Sequence, residues 1–389
     1  MSISARDRAR DVPVRPAAVR VPSEDRTPAA ATPGTTPVAT PVSVVMPVLE
    51  EERYLEPAVR RVLEQEYDGE IEIVLALGPS ADRTHEIAEA LAESDPRIVL
   101  VENPTGRTPQ GLNAAIAVTS HPYIVRVDAH GELPPGYIRE VVRLLDTTGA
   151  ANVGGMMRVE GDSDFGRAVA VAMSSPLGIG GSKFHVGGEP GPARTVYLGA
   201  FRREVLDELG GFDEHFVRAQ DWELNYRIRQ AGHTIWFTPH LAVTYRPRRD
   251  FAALRKQFFG SGQWRRQIVA AYPESASFRY LAAPVVTAIV ALGTLLGVLG
   301  VAGTTLEIPY AWLLIAGFAA PLGYAVGVMG ASVAIGRGLP SRSRLLLPFV
   351  MMTMHLSWGS GFLRSIPRSQ RRPAPVQDRY APRHLADAA

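Results

Sequence analysis

Cysteine does not occur in the 389 residues, which excludes disulfides, thiolate metal sites and cysteine nucleophiles. Any metal argument therefore rests on Asp and His. Net charge is nearly missing as well, at a formal +2, but it is unevenly spread: from Gly336 onward nine Arg stand against two Asp. A basic tail beside apolar segments fits a membrane surface better than nucleic acid. Residues 1–40 are rich in Pro, Ala, Thr and Arg and lack both a hydrophobic period and the continuous apolar stretch of a signal peptide. They are expected to be disordered and not a cleaved leader. The length suits one large or two medium domains.

Apolar sequence is abundant toward the end of the chain. Leu281 to Ala302 and Ile308 to Ile335 each exceed the roughly 20 residues that cross a bilayer core, with Glu307 the only charge in or between them. Their Gly and Ala richness without a polar face suits packing in lipid rather than a buried soluble hairpin. A third run, Leu345 to Leu363, is interrupted by Pro348, His355, Ser357, Gly359 and Gly361. It either spans or lies partly in the interface. Arg246, Arg248, Arg249, Arg255, Lys256, Arg265 and Arg266 precede the first run, and Arg337, Arg342 and Arg344 follow the second. Both flanks are thus predicted cytoplasmic, whereas a third crossing would send Arg364, Arg368, Arg371 and Arg372 outside. The membrane region is placed at 281–366 and a basic tail at 367–389.

Between residues 41 and 277 strand and helix signals alternate. Val42 to Val48 is apolar, Leu55, Val59, Val62 and Leu63 fall on helical spacing, and Ile71 to Leu77 is apolar again. Ile87 and Leu91 mark a second helix, Arg97 to Val101 a third strand, Leu112 to Val118 a third helix and Tyr123 to Val127 a fourth strand. The pattern predicts an α/β domain on a mostly parallel sheet, with a ligand crevice at the carboxyl ends of the strands. At one such end Asp128 and His130 flank the small Ala129. That pair suits a divalent ion, as carboxylate and imidazole ligands, or alternatively a turn-capping acid beside a solvated His.

Three motifs in order carry a family resemblance. Ser43-Val-Val-Met-Pro-Val-Leu-Glu-Glu-Glu52 resembles the first strand and N-E-E turn of family 2 glycosyltransferases, Asp128-Ala-His130 their D-x-D metal motif, and Gln220-Asp-Trp-Glu223 their E-D catalytic motif. Tyr197-Leu-Gly-Ala-Phe-Arg-Arg followed by Gly210-Gly-Phe-Asp213 is similar to the sequence that precedes the family's catalytic acid. The narrower likeness is to bacterial exopolysaccharide glucosyltransferases of the succinoglycan type. The resemblance implies a GT-A nucleotide-sugar-binding domain, Rossmann-like with a mostly parallel central sheet, followed by C-terminal transmembrane helices. It also implies an inverting transfer from a nucleotide-sugar donor, a UDP-sugar favoured, to a lipid-linked or polysaccharide acceptor. The place is the plasma membrane, with the catalytic domain cytoplasmic.

On that resemblance Asp221 is the base, and Asp128 with His130 holds Mg²⁺ or Mn²⁺ against the donor diphosphate. Donor-binding roles fall to Pro47, expected to turn the chain after the first strand, and to Glu51, Asp82, Arg107, Asn113 and Asp128. Glu51 has the alternative of a solvated helix start and Asp82 that of a helix cap. Trp222, Trp264 and Arg265 are assigned to acceptor or pyrophosphate. The competing reading of residues 250–270 is an interfacial helix resting Phe258, Phe259 and Trp264 on the membrane. His185, in a Gly-rich segment read as a mobile acceptor loop, is either a third metal ligand or a packed loop residue. Gln220 in place of a Glu leaves open a catalytically impaired, nucleotide-sugar-binding scaffold. A transporter is disfavoured by the absence of an internal repeat or midplane charge.

Overall fold

Apolar strands of Val, Ile and Leu bury both their faces only when helices cover the sheet on two sides, and this arrangement fixes the first half of the domain. The computed structural model describes residues 39–364. The readings of the leader up to residue 38 and of the tail at 367–389 lie outside them. The chain begins β1 (Val42–Val48), α1 (Leu55–Leu63), β2 (Ile71–Leu77), α2 (Thr84–Ser94), β3 (Ile98–Glu102), α3 (Thr108–Val118) and β4 (Tyr123–Arg126). These strands lie parallel in the order β3-β2-β1-β4. Val44, Met46, Ile73 and Leu75 face one layer with Leu55 and Val59 of α1, while Val45, Val74 and Ile124 face the other with Leu112 and Ala115 of α3. The split follows the two-residue period of a strand.

The sheet is completed by β5 (Asn152–Val159), β6 (Gly191–Pro192), β7 (Tyr197–Arg202) and β8 (Ile235–Tyr245), giving the order β3-β2-β1-β4-β7-β5-β8-β6. β7 runs antiparallel to both β4 and β5. Between them in the chain come α4 (Tyr137–Thr148), α5 (Asp164–Met173), the single turns α6 (Pro176–Ile179) and α7 (Lys183–Val186), α8 (Arg203–Leu209) and α9 (Gln220–Gln230). The ladder between β5 and β8 slips at Gly155, where any Cβ would collide with the Leu241 carbonyl.

Pro47 does not turn the chain as expected. β1 continues through it to Val48, pairing with Ala76 and Leu77, because β4 has left the ladder beyond Val45 and no hydrogen bond is forfeited at the missing N–H. The turn comes at Glu50, whose φ is 58°.

Downstream lie α10 (Phe251–Ala271), α11 (Phe278–Thr305), a 3-10 stretch at Ala311–Phe318, α12 (Ala319–Ile335) and α13 (Ser341–Leu363). Three segments, Phe278–Thr305, Ala311–Ile335 and Ser341–Leu363, are long and apolar enough to cross a membrane. A stripe of Gly293, Gly297, Gly300 and Gly303 lets α11 press against residues 311–320, since a Cβ at any of the four would overlap that segment. Leu292, Leu295, Leu299 and Val326 point outward from this pair.

α13 is placed differently. It lies along the α/β domain: Ser343 near its start donates to Asp164 at 2.8 Å, and the Leu363 carbonyl at its end accepts from Arg266 at 2.7 Å. Its Leu347, Val350, Met351 and Met354 pack with Ala168 and Val169 of α5 and Leu254 and Phe258 of α10. Phe258, expected to rest on the membrane, is therefore buried beneath α13, and Phe259 lies against Gly361. Part of the basic cluster that precedes the first span is drawn into the fold as well. Arg246 pairs with Glu132 and Glu160, Arg249 donates to Tyr54, and Arg266 is spent on carbonyls of α13. These three found partners within the fold, which the linear spacing does not encode, while Arg248, Arg255 and Lys256 stay exposed.

Candidate active site

Arg126 closes β4 and is only 4% exposed. Its Nε and Nη2 donate to Asp128 at 3.1 and 2.8 Å, and its Nη1 donates to Asp221. One buried cation thus joins the acid at the end of β4 to the acid in the first turn of α9. Two carboxylates in such a place are tolerable only while a countercharge is hydrogen-bonded to them. Asp221 is aimed there by Ala219, which precedes α9 in the left-handed region at φ 62°, an uncommon conformation for a residue other than glycine.

The two acids titrate apart. Burial opposes ionisation of Asp128, but the charges of Arg126 and His130 outweigh it and hold the carboxyl below its ordinary range. At Asp221 burial dominates, Arg126 opposes it, and repulsion from Asp128 adds to it, pushing the pKa up to about 6. With 27% of its side chain facing the cleft, Asp221 is a carboxylate poised near neutrality and open to a substrate. The Tyr197 hydroxyl, pushed well above its ordinary value by burial and by the nearby acids, belongs to the same cluster.

His130 turns its Nδ1 to Glu51 at 2.7 Å, and this hydrogen bond raises its pKa against the effect of burial. Glu51 therefore orients an imidazole, in the manner of a carboxylate behind a metal-ligating His. His130 Nε2 and the second oxygen of Asp128 lie outside these bonds. Among the described residues no group of three or more His, Asp or Glu is arranged to hold a metal. Two ligands fit a hard cation that keeps waters and takes its remaining oxygens from substrate phosphates.

Asp82 accepts from the Glu52 N–H at 3.2 Å and the Thr84 N–H at 3.1 Å, lacing the turn after β1 to the start of α2. The residue at the cap of α2 is Arg83, and Asp82 braces the turn just before it. Asn113 is likewise committed: its amide donates to the Phe212 carbonyl and accepts from the Phe212 N–H, both at 2.9 Å. It clamps the Gly210-Gly-Phe-Asp213 loop that leads to Asp221, and Gly211 is required beside it because a Cβ would strike the Asn113 oxygen. The opposite side of that loop is held by Arg227, which donates to the Leu209 and Gly211 carbonyls while paired with the fully buried Glu223. Arg107 stands exposed at the head of α3.

Trp222 and Arg265 come together, with the guanidinium 4.8 Å from the indole centre and 4.1 Å from that of the Tyr280 ring. Trp264 instead packs edge-on against His215 and Phe216. His185 is buried in α7 beside Arg279, and burial lowers its pKa to about 3. It joins no metal-type cluster, so the third-ligand reading is discarded, and its Gly-rich segment forms helical turns.

The glycosyl transferase family 2 model matches residues 43–210, from β1 to the loop clamped by Asn113. The succinoglycan biosynthesis protein ExoA of Rhizobium meliloti is 31% identical over 85% of this chain and 96% of its own length. The chain is a family 2 glycosyltransferase. A further relative is the dolichyl N-acetyl-alpha-D-glucosaminyl phosphate 3-beta-D-2,3-diacetamido-2,3-dideoxy-beta-D-glucuronosyltransferase of Methanococcus voltae, 23% identical over 57% of this chain and 71% of that protein. Among solved structures, the mannosyltransferase PcManGT of Pyrobaculum calidifontis, in complex with GDP-Man and Mn²⁺, covers 83% of this chain and 86% of its own at a TM-score of 0.51 and 20% identity. The domain has the GT-A fold.

In this glycosyltransferase the residue missed by motif reading is Arg126. A signal for it existed: Arg126 is the last residue of β4 and Asp128 stands two residues on, within reach of its guanidinium. A lone charge within Tyr-Ile-Val-Arg-Val needs a buried partner, and the acid two residues on supplies it.

Proposed function

We propose that this enzyme moves a sugar, with inversion, from a nucleotide diphosphate donor of the UDP-sugar type to a lipid-linked acceptor during assembly of a cell-surface polysaccharide. The observation that carries the reading is the Arg126 pairing of Asp128 with Asp221, in which one acid stays ionised and the other sits near neutrality facing the cleft. Asp221 takes the proton of the attacking acceptor hydroxyl, whose oxygen forms the new bond to the anomeric carbon as the nucleotide leaves on the opposite side. Arg126 keeps Asp221 directed and stabilises its ionised form. Asp128 and His130 would hold Mg²⁺ or Mn²⁺, which when bound supplies positive charge for the departing diphosphate. Arg107, exposed over the same strand ends, adds a phosphate contact.

The lipid acceptor is supported by the Methanococcus voltae relative, named for transfer to a dolichyl phosphate sugar, and the polysaccharide role by the name of the Rhizobium meliloti one. On this reading the plasma membrane is crossed by α11 and by residues 311–335. Since both ends of α13 bind the catalytic domain, a helix about 34 Å long lies along the membrane face instead of crossing it. Two crossings return the chain to the side where the catalytic domain sits, and the Arg337, Arg342 and Arg344 flank makes that side cytoplasmic.

The test is transfer by Asp221→Asn in full-length protein with native lipid extract and a panel of UDP- and GDP-hexoses. Transfer falls at least about a hundredfold while nucleotide binding persists. Near-normal turnover removes Asp221 from the mechanism. Protease added outside intact cells leaves the domain whole, and its digestion there would reverse the orientation.

A further inference from the structure

Between the catalytic domain and the apolar helices lies a cavity of about 1000 Å³, at the upper end of the roughly 300–1000 Å³ usual for small-molecule sites. Its walls divide by chemistry. Val286 of α11, Gly327, Val328 and Ala331 of α12, and Met351 and Met354 of α13 make an apolar part, on the side of the helices whose outer faces carry Leu and Val into the surroundings. Arg218, Arg265 and Arg279 make a cationic part, and Ala219, two residues before Asp221, lines it as well. The cavity therefore runs from the lipid-type helices to Ala219, at the head of the helix that carries the base.

The three guanidiniums are short of countercharge. Among the described residues no ion pair or hydrogen bond to an acid engages any of them, and Arg265 Nη1 is buried with no hydrogen-bond partner. Arg265 and Arg279 instead sit 4.1 and 5.1 Å from the Tyr280 ring centre. Desolvation lowers the pKa of both Arg265 and Arg218, the mark of cations held where an anion would relieve them. His185 Nδ1, also buried and unpartnered, lies in the same wall. A purely apolar ligand would leave the buried Arg265 and His185 nitrogens unsatisfied, and a small free anion would leave the apolar part empty.

We infer that this cavity binds the diphosphate and first isoprenoid units of a prenyl-diphosphate-linked acceptor, the diphosphate on Arg218, Arg265 and Arg279 and the chain between α11, α12 and α13. The inference rests on the transferase reading above and gives the acceptor its site. The acceptor enters from the bilayer head first, which presents the sugar beyond its diphosphate to Asp221.

The test uses the full-length protein in lipid nanodiscs and follows intrinsic fluorescence, to which Trp264 and Trp358 in the cavity wall contribute. Three probes are titrated: farnesyl diphosphate, farnesol and inorganic pyrophosphate. Farnesyl diphosphate is expected to bind saturably at least about tenfold more tightly than either of the others. Arg279→Ala and, separately, Gly327→Trp each weaken it by at least about tenfold, and Arg279→Lys recovers part of the loss. A Cβ at Gly327 meets nothing within 4 Å, so the larger side chain projects into open space rather than into the fold. Pyrophosphate binding as tightly as farnesyl diphosphate assigns the arginines to the donor and overturns the proposal. Equal binding of farnesol, or indifference to Gly327→Trp, overturns it too. Acceptor-independent hydrolysis of sugar nucleotides by the unaltered enzyme is read in parallel. Hydrolysis without prenyl diphosphate binding sinks the cavity assignment alone and leaves the transferase reading standing.

Discussion

Replacing Arg126 by Met keeps the length of the side chain and removes the cation between Asp128 and Asp221. Both acids are then left facing one another with 20% and 27% of their side chains exposed. Breaking a buried ion pair by deleting one partner costs about 3–5 kcal/mol, and here two carboxylates lose the same partner. The loss must depend on pH. Without the guanidinium Asp128 keeps only His130 as a countercharge and Asp221 is governed by burial and repulsion from Asp128, so the folded pKa of Asp221 rises further above the unfolded one. A carboxyl whose folded pKa is raised holds its proton more tightly in the native state, so stability falls as pH rises through that value. Arg126→Met should therefore be destabilised by about 3 kcal/mol or more at pH 8 and by distinctly less at pH 5, where a proton replaces the guanidinium. At roughly 2–4 °C per kcal/mol for a chain domain of this size, the melting temperature drops by about 6–12 °C at pH 8. Scanning fluorimetry of the full-length protein in detergent at the two pH values measures it. Adding Asp221→Asn to the variant should recover part of the loss at pH 8. An equal destabilisation at both pH values, with no recovery in the double variant, would refute the claim that Arg126 acts through the two acids.

Transfer at saturating donor should rise with pH through about 6, because Asp221 accepts a proton only in its ionised form and its pKa lies there; a flat rate between pH 5 and 8 would remove it as the titrating base. Chelation should stop transfer, and Mg²⁺ or Mn²⁺ should restore it except in Asp128→Ala, whereas full activity in chelator moves charge neutralisation onto arginine. Asn113→Leu strands the N–H and C=O of Phe212 and should cost about 1–3 kcal/mol while lowering turnover, with the affinity for the nucleotide unchanged. A selective fall in nucleotide affinity would instead return Asn113 to the donor site.

Local pattern sufficed for much of the architecture. Ile71–Leu77 forms the strand its apolar run implies, and Leu55, Val59 and Val62 form a buried helical face, because period and burial are properties of neighbouring residues. The family resemblance also rested on short contiguous stretches, and the position of Asp128 at a strand end follows from the length of its strand. What the sequence could not determine is which side chains meet across elements. Arg126 and Asp221 are separated by 95 positions, and Asn113 and Phe212 by 99, so no spacing rule joins them. The tertiary fold turned Glu51 toward His130, gave Asp82 to a turn, and drew Arg246 and Arg266 to partners, because a buried polar group must be satisfied by whatever the packing brings near. The interrupted run at 345–363 shows the division most clearly. Its hydropathy permits a crossing, and only the bonds of Ser343 to Asp164 and of Leu363 to Arg266 tie both its ends to one domain.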